Sequence, residues 1–150
     1  MTLKQRLEND IKAALLGGDR FVVEVLRGLK SAILYEEVAK RRREEGLSET
    51  EIEAVFAKQA KQRDESADLF EKGGNQQSAD KERAEKKIIL QYLPEPLSEA
   101  GLRGEISSII TELHAVGPQG MGQVIGALRA KYGSRINGAD AARITKELLS

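Results

Sequence analysis

The sequence predicts an all-α protein in two parts, an N-terminal set of about four helices and a small C-terminal set of three. Three observations predict it. Apolar residues recur at i, i+3, i+4 and i+7 between glycine- or proline-bearing breaks. No segment alternates apolar and polar residues at period two, so no sheet is expected. Charged residues make up 32% of the chain and aromatics 4%, with no Trp, a composition that suits long solvated helices around an aliphatic core.

Thr2 and Gln5 have capping-box spacing and open a first helix with Leu3, Leu7, Ile11 and Leu15 on one side. Gly17-Gly18 stops it. A second helix starts near Asp19 and carries Val22, Val25, Leu26, Leu29 and Ile33; the pattern runs on through Tyr35 and Val38 into Lys40-Arg41-Arg42-Arg43-Glu44-Glu45, with Gly46 as its end. Ser48 and Glu51 form a second capping box, opening a long helix to Lys72. Its stripe of Ile52, Val55, Phe56, Ala60, Ala67 and Phe70 is thin and is interrupted by Arg63. After Gly73-Gly74 a fourth helix, about Gln77 to Tyr92, is expected to bury Ala84, Ile88, Ile89 and Tyr92.

Leu93-Pro94-Glu95-Pro96-Leu97 cannot be helical throughout, because each proline lacks an N–H and biases the residue before it toward extended geometry. The segment reads as a domain boundary: residues 1–93, a linker 94–97, and residues 98–150. Ser98 caps a fifth helix with Leu102, Ile106, Ile109, Ile110 and Leu113, and Gly117-Pro118 breaks it. The sixth helix is expected to bury Met121, Val124, Ile125 and Leu128. The seventh begins at or just after Asn137 and is expected to bury Ala141, Ile144 and Leu148.

The totals exclude several chemistries. There is no Cys, hence no disulfide, thiol nucleophile or Cys-based metal site. Neither a secretory signal nor an apolar run of roughly 20 residues is present, so the expected compartment is the cytoplasm. Net charge is +0, from 24 basic and 24 acidic residues, which argues against indiscriminate nucleic-acid binding. Lys40 to Arg43 is flanked by Glu36, Glu37, Glu44 and Glu45 and reads as a solvated helix face. The same holds for Lys58, Lys61 and Glu65. Arg63 in an apolar stripe calls for a carboxylate, and Glu82 or Glu85 on the next helix is the expected partner in a structural ion pair. His114, the one histidine, stands beside no nucleophile and reads as a helix C-cap. The run Gly117-Pro118-Gln119-Gly120-Met121-Gly122 follows no strand and lacks the Lys-Ser/Thr of a phosphate-binding loop, although a helix N-terminus there offers free N–H groups. No catalytic residue, metal ligand or cofactor site is identified.

Lys131, Arg135, Arg143 and Lys146 surround the last turn, where residues 97–150 hold six basic and five acidic side chains. Arg135 lies beside Asn137-Gly138 in a turn where nothing local demands a charge, so its replacement by Ala is expected to cost under about 0.5 kcal/mol. Such a patch suits an RNA backbone read by shape; a plain solubility role fits the residues equally.

Several stretches together resemble the YqeY family over the full length of the chain: Leu26-Arg27 with Lys30-Ser31-Ala32-Ile33, Lys61-Gln62-Arg63-Asp64-Glu65-Ser66, Tyr92-Leu93-Pro94, Met121-Gly122-Gln123-Val124-Ile125, and Arg135-Ile136-Asn137-Gly138. The C-terminal part of that family is similar to the tail domain of the B subunit of glutamine-dependent tRNA amidotransferase. The resemblance implies an N-terminal helical bundle plus a small C-terminal three-helix domain. In the amidotransferase the equivalent tail touches the outer corner of tRNA while chemistry happens elsewhere. By that resemblance Gln123, Lys131, Arg135 and Asn137 face a partner, with Arg143 and Lys146 beside them. Gln123 stands where relatives often carry Lys, and Asn75 where they often carry Arg. The family is commonly classed under carbon–nitrogen ligase activity with glutamine as amido-N-donor. This chain, however, shows neither a Ser-Ser-Lys amidase arrangement nor an ATP-binding loop. The expected function is a non-catalytic module for tRNA, or for a tRNA-dependent amidotransferase or aminoacyl-tRNA synthetase, without cofactor, metal or membrane. The alternative is a protein–protein adaptor that never touches RNA.

Overall fold

The computed structural model describes residues 1–150, the Ser134 side chain excepted. Seven α-helices form: α1 Leu3–Leu16, α2 Arg20–Ala39, α3 Glu49–Lys72, α4 Gln76–Leu90, α5 Glu99–Leu113, α6 Gly117–Tyr132 and α7 Gly138–Leu149, with a 3-10 turn at Gly133–Arg135. There is no strand among the described residues. The chain divides into two compact units, Met1–Leu93 and Pro94–Ser150.

Helix starts follow local chemistry. Thr2 and Ser48 form full capping boxes with Gln5 and Glu51. Asp19, Asn75, Ser98 and Asn137 each accept first-turn N–H groups at their own helix starts, satisfying donors that have no partner within the helix. Asn75 is thus a cap, a role that an Arg side chain, which has no acceptor, could not fill. Two helix ends use one device twice. Gly18 and Gly74 take φ of 73° and 81°. Their N–H groups return to Leu15 and Glu71 while those of Asp19 and Asn75 return to Ala14 and Phe70, which is a left-handed closure of the last turn. The residue completing each closure is also the N-cap of the next helix.

The second helix is shorter than its sequence pattern suggests. It ends at Ala39, because Arg41 adopts φ 56° and the Arg41 and Arg42 N–H groups turn back to Val38 and Glu37 at 3.1 and 2.8 Å. Three further expectations are corrected. Ala84 is exposed, the small buried residue of α4 being Ala79. Leu148 is 37% exposed, and Leu149 packs on the core in its place. The sixth helix begins already at Gly117, with Pro118 in its first turn, where a missing N–H does no harm.

In the first unit α1 pairs with α2, α3 pairs with α4, and α2 also touches α3 and α4. The core joins Leu7, Ile11, Leu26, Leu29, Ile33, Ile52, Phe56, Ile89 and Tyr92, where each fully buried aliphatic side chain contributes about 1.5–3 kcal/mol. The Tyr92 ring meets Phe56 edge-on at 5.8 Å and lies 4.5 Å from the Arg6 guanidinium. Its hydroxyl donates to Asp10. Further along, α3 and α4 bury only the alanines Ala67 and Ala79, while Leu69 and Phe70 stay exposed. One charged residue is buried here: Glu37, whose carboxylate accepts from Lys4 Nζ at 2.8 Å.

The second unit packs α5, α6 and α7 against one another around Leu102, Ile106, Ile109, Ala115, Val124, Leu128, Ala141 and Ile144. His114 closes α5 through its backbone at φ 51°, in the left-handed region. Residues 95–97 are fastened within this unit. The Leu97 N–H donates to Arg135 O at 2.9 Å, and Glu95 O accepts from Arg135 Nε at 3.2 Å.

Candidate functional site

The turn after α6 gathers the densest set of candidate residues. Gly133 at φ 54° reverses the chain, and the 3-10 turn through Arg135 is held at both faces by Leu97 and Glu95. The fastening places the Arg135 guanidinium 5.6 Å from the Tyr132 ring centre. Lys131 Nζ stands 5.4 Å from the same centre, so one tyrosine carries two cations against its ring. Glu105 on α5 anchors the group, accepting from Lys131 Nζ at 3.3 Å. The neighbouring Tyr132 hydroxyl first, and then Lys131, hold the Glu105 carboxyl below its ordinary range. Glu105 likewise raises Tyr132 and Lys131, which keeps the phenol neutral and the ammonium charged.

Arg135 is half-buried and bonded, not a free turn residue. Truncating it removes a hydrogen bond and a ring contact, so the loss is nearer about 1 kcal/mol than the smaller figure its turn position suggests.

The other candidates separate. Asn137 is a helix cap: its carboxamide oxygen accepts from Ala139 N at 3.0 Å and Asp140 N at 3.2 Å. Arg143 is engaged by Glu99 at 2.9 Å, Glu147 at 3.3 Å and Asp140 at 3.7 Å, and Arg103 joins that face through Glu147 at 2.8 Å. Gln123 is exposed on α6. Lys146, exposed on α7, borders a pocket with Gly117 and Pro118 at the start of α6, the opposite end of that helix from Tyr132. Only Lys131 and Arg135 are therefore brought together. Tyr132, which organises them, reads in the sequence as no more than a helix stop; an aromatic between two cations four residues apart was the available signal.

Arg63 does not form the expected ion pair. Its Nη1 donates to Gln59 on its own helix at 2.7 Å, and neither Glu82 nor Glu85 lies within 4 Å of it, although all three line one groove. The guanidinium is only partly buried and has the Gln59 amide, so no carboxylate is demanded. Burial, then neighbouring Glu82, pushes the Glu85 carboxyl up. In the first unit Lys40 and Arg42 converge on Glu51, while Arg41 and Arg43 are exposed. The backbone bond from Ser48, then Lys40, lowers the Glu51 carboxyl to about 2. Among the described residues no group of three His, Asp or Glu side chains could hold a metal, and no helix is long and apolar enough to cross a membrane.

The model of the Yqey-like protein family matches residues 4–149. A curated relative, altered inheritance of mitochondria protein 41, mitochondrial, from Lachancea thermotolerans, is 30% identical over 114 residues. The match covers 75% of this chain and 60% of that protein's length.

Proposed function

The chain belongs to the YqeY family, and from that premise we propose a cytoplasmic, non-catalytic helical module whose second unit binds tRNA, or a tRNA-dependent enzyme together with its tRNA. The observation that carries the reading is the Tyr132 ring with Lys131 and Arg135 against it at 5.4 and 5.6 Å. Cations beside an aromatic face suit RNA: phosphates take the charge and an unstacked base can lie on the ring. The turn is pinned by Leu97 and Glu95, so little freedom is lost on binding. Nothing in this set breaks or forms a bond, and the chain has no Cys to release ammonia from glutamine.

A second reading, a protein adaptor without RNA contact, is favoured by charge. Pro94–Ser150 holds six basic residues and six acidic ones, Glu95 included, and Arg143 is already engaged by carboxylates. Salt separates the two. Two phosphate contacts give a slope of roughly −1.4 to −1.8 in log K against log salt, about a tenfold loss between 50 and 200 mM. Fluorescence anisotropy of labelled bulk tRNA at those two salts checks this. Arg135→Ala is expected to weaken binding and flatten the slope by about one unit. Absence of saturable binding at either salt would replace the RNA reading with the adaptor.

A further inference from the structure

At the end of the second unit remote from Tyr132, a pocket of about 570 Å³ opens between the start of α6 and the end of α7, lined by Gly117, Pro118, Met121, Lys146, Leu149 and Ser150. Its walls are almost wholly apolar, and no aromatic ring lines it. Three more exposed apolar side chains neighbour its lining in sequence: Leu113 (44%) and Val116 (79%) before Gly117, and Leu148 (37%) before Leu149. A small domain seldom leaves so much apolar surface together without a partner for it.

Lys146 is the one charged side chain on the rim. Arg143 on α7 and Arg103 on α5 are committed to Glu147 and Glu99, whereas Lys146 has no carboxylate within 4 Å among the described residues. Ser150 Oγ shares its proton between Lys146 O at 2.8 Å and Glu147 O at 3.1 Å. Across the pocket, no side chain caps the first turn of α6; its positive end is offset by the negative end of α7, so Lys146 supplies the charge of the rim. An apolar cavity with a positive rim is complementary to an apolar side chain next to a negative charge. Nucleic acid fits poorly, since a ribose-phosphate chain leaves the apolar walls uncovered and no ring is present for a base to stack on.

We propose that this pocket docks a short linear segment of a partner protein, in which a leucine-sized side chain enters between Pro118, Met121 and Leu149 and an adjacent carboxylate pairs with Lys146. The module then holds a protein at one end of α6 and keeps its Lys131–Tyr132–Arg135 face at the other.

The test is an amide NMR titration of the full chain with acetyl-Glu-Asp-Leu-Leu-Asp-amide. Saturable shifts confined to residues 113–121 and 145–150 are expected. Replacing both leucines of the peptide by serine abolishes them, and Lys146→Glu weakens binding at least tenfold while leaving the rest of the spectrum in place. A peptide with Lys in place of its acidic residues recovers affinity for the Lys146→Glu chain. Three results would overturn the proposal: no shifts at millimolar peptide, equal binding of the serine peptide, or the same amides shifting with bulk tRNA. Concentration-dependent shifts of those amides without peptide would assign the surface to a second copy of the chain and overturn it too.

Discussion

Replacing Lys4 by Met strands a buried carboxylate. Glu37 is 4% exposed at its side chain against 49% for Lys4, and the two meet at 2.8 Å. Glu37 also sits in the last turn of α2, where the helix dipole disfavours negative charge. Breaking a fully buried pair from one side costs about 3–5 kcal/mol. Here the lysine is half in water and the carboxylate recovers some hydration once it leaves, so the expected loss is about 2 kcal/mol. Glu37→Gln keeps the volume and removes the charge, with Lys4 free to hydrate, and should cost about 1 kcal/mol. The double variant holds no unpaired charge and should lose about 1 kcal/mol, less than the sum of the two, a coupling of about 2 kcal/mol. Native-state hydrogen exchange at the Leu26 and Leu29 amides, in the core of the same unit, reads the three variants. Simple additivity within about 0.5 kcal/mol would refute the reasoning, because it would mean that the carboxylate is hydrated without its lysine.

Two glycines should respond oppositely to alanine. A Cβ on Gly120 would lie 3.0 Å from Ala115 Cβ and 3.3 Å from Ala115 C, whereas one on Gly104 would meet nothing within 4 Å. Gly104→Ala should raise stability by about 0.5–1 kcal/mol. Gly120→Ala gains about 1 kcal/mol of helix preference and loses about 1–3 kcal/mol to overpacking, a net loss of about 1 kcal/mol. Amide exchange in α5 and α6 measures both. For pH, the Glu51 carboxyl falls from 4.5 to about 2 on folding. A lowered folded value stabilises above the unfolded value and is lost as pH falls through the folded one. Urea midpoints of the native chain and Glu51→Gln should therefore differ by a constant amount above 4.5 and converge between 4.5 and 2.

Helix starts were legible in the sequence because a cap is local: a Ser, Thr, Asp or Asn side chain reaches its own third residue, and spacing alone reveals it. The cores were legible where one large residue per turn repeats, as in Leu26, Leu29 and Ile33. What escaped depended on contacts distant in sequence or on a conformation the residue type disfavours. Arg41 ends α2 in the left-handed region without a glycine to announce it. Glu37 reads as surface decoration until Lys4, 33 residues away, is brought beside it. Arg143 and Asn137 look available for a partner, but the carboxylates that claim Arg143 include Glu99 on another helix, and the amides that claim Asn137 lie in its own next turn. Lys131 and Arg135 were found from charge and resemblance. The ring between them was missed because a tyrosine before glycine is also an ordinary way to finish a helix.

The twin connections Gly17-Gly18-Asp19 and Gly73-Gly74-Asn75 have no slack, since one residue finishes the closure of one helix and caps the next. Each hairpin is in effect a gear with a fixed tooth count. One inserted residue turns the following helix by about 100° about its axis, taking Leu26 and Leu29 off the core side in one case and Ile89 in the other. These two joints should accept changes of residue type at their exposed neighbours and reject changes of length, whereas the longer connection between α2 and α3 has room to vary in length at its exposed residues Arg43, Glu44 and Glu45.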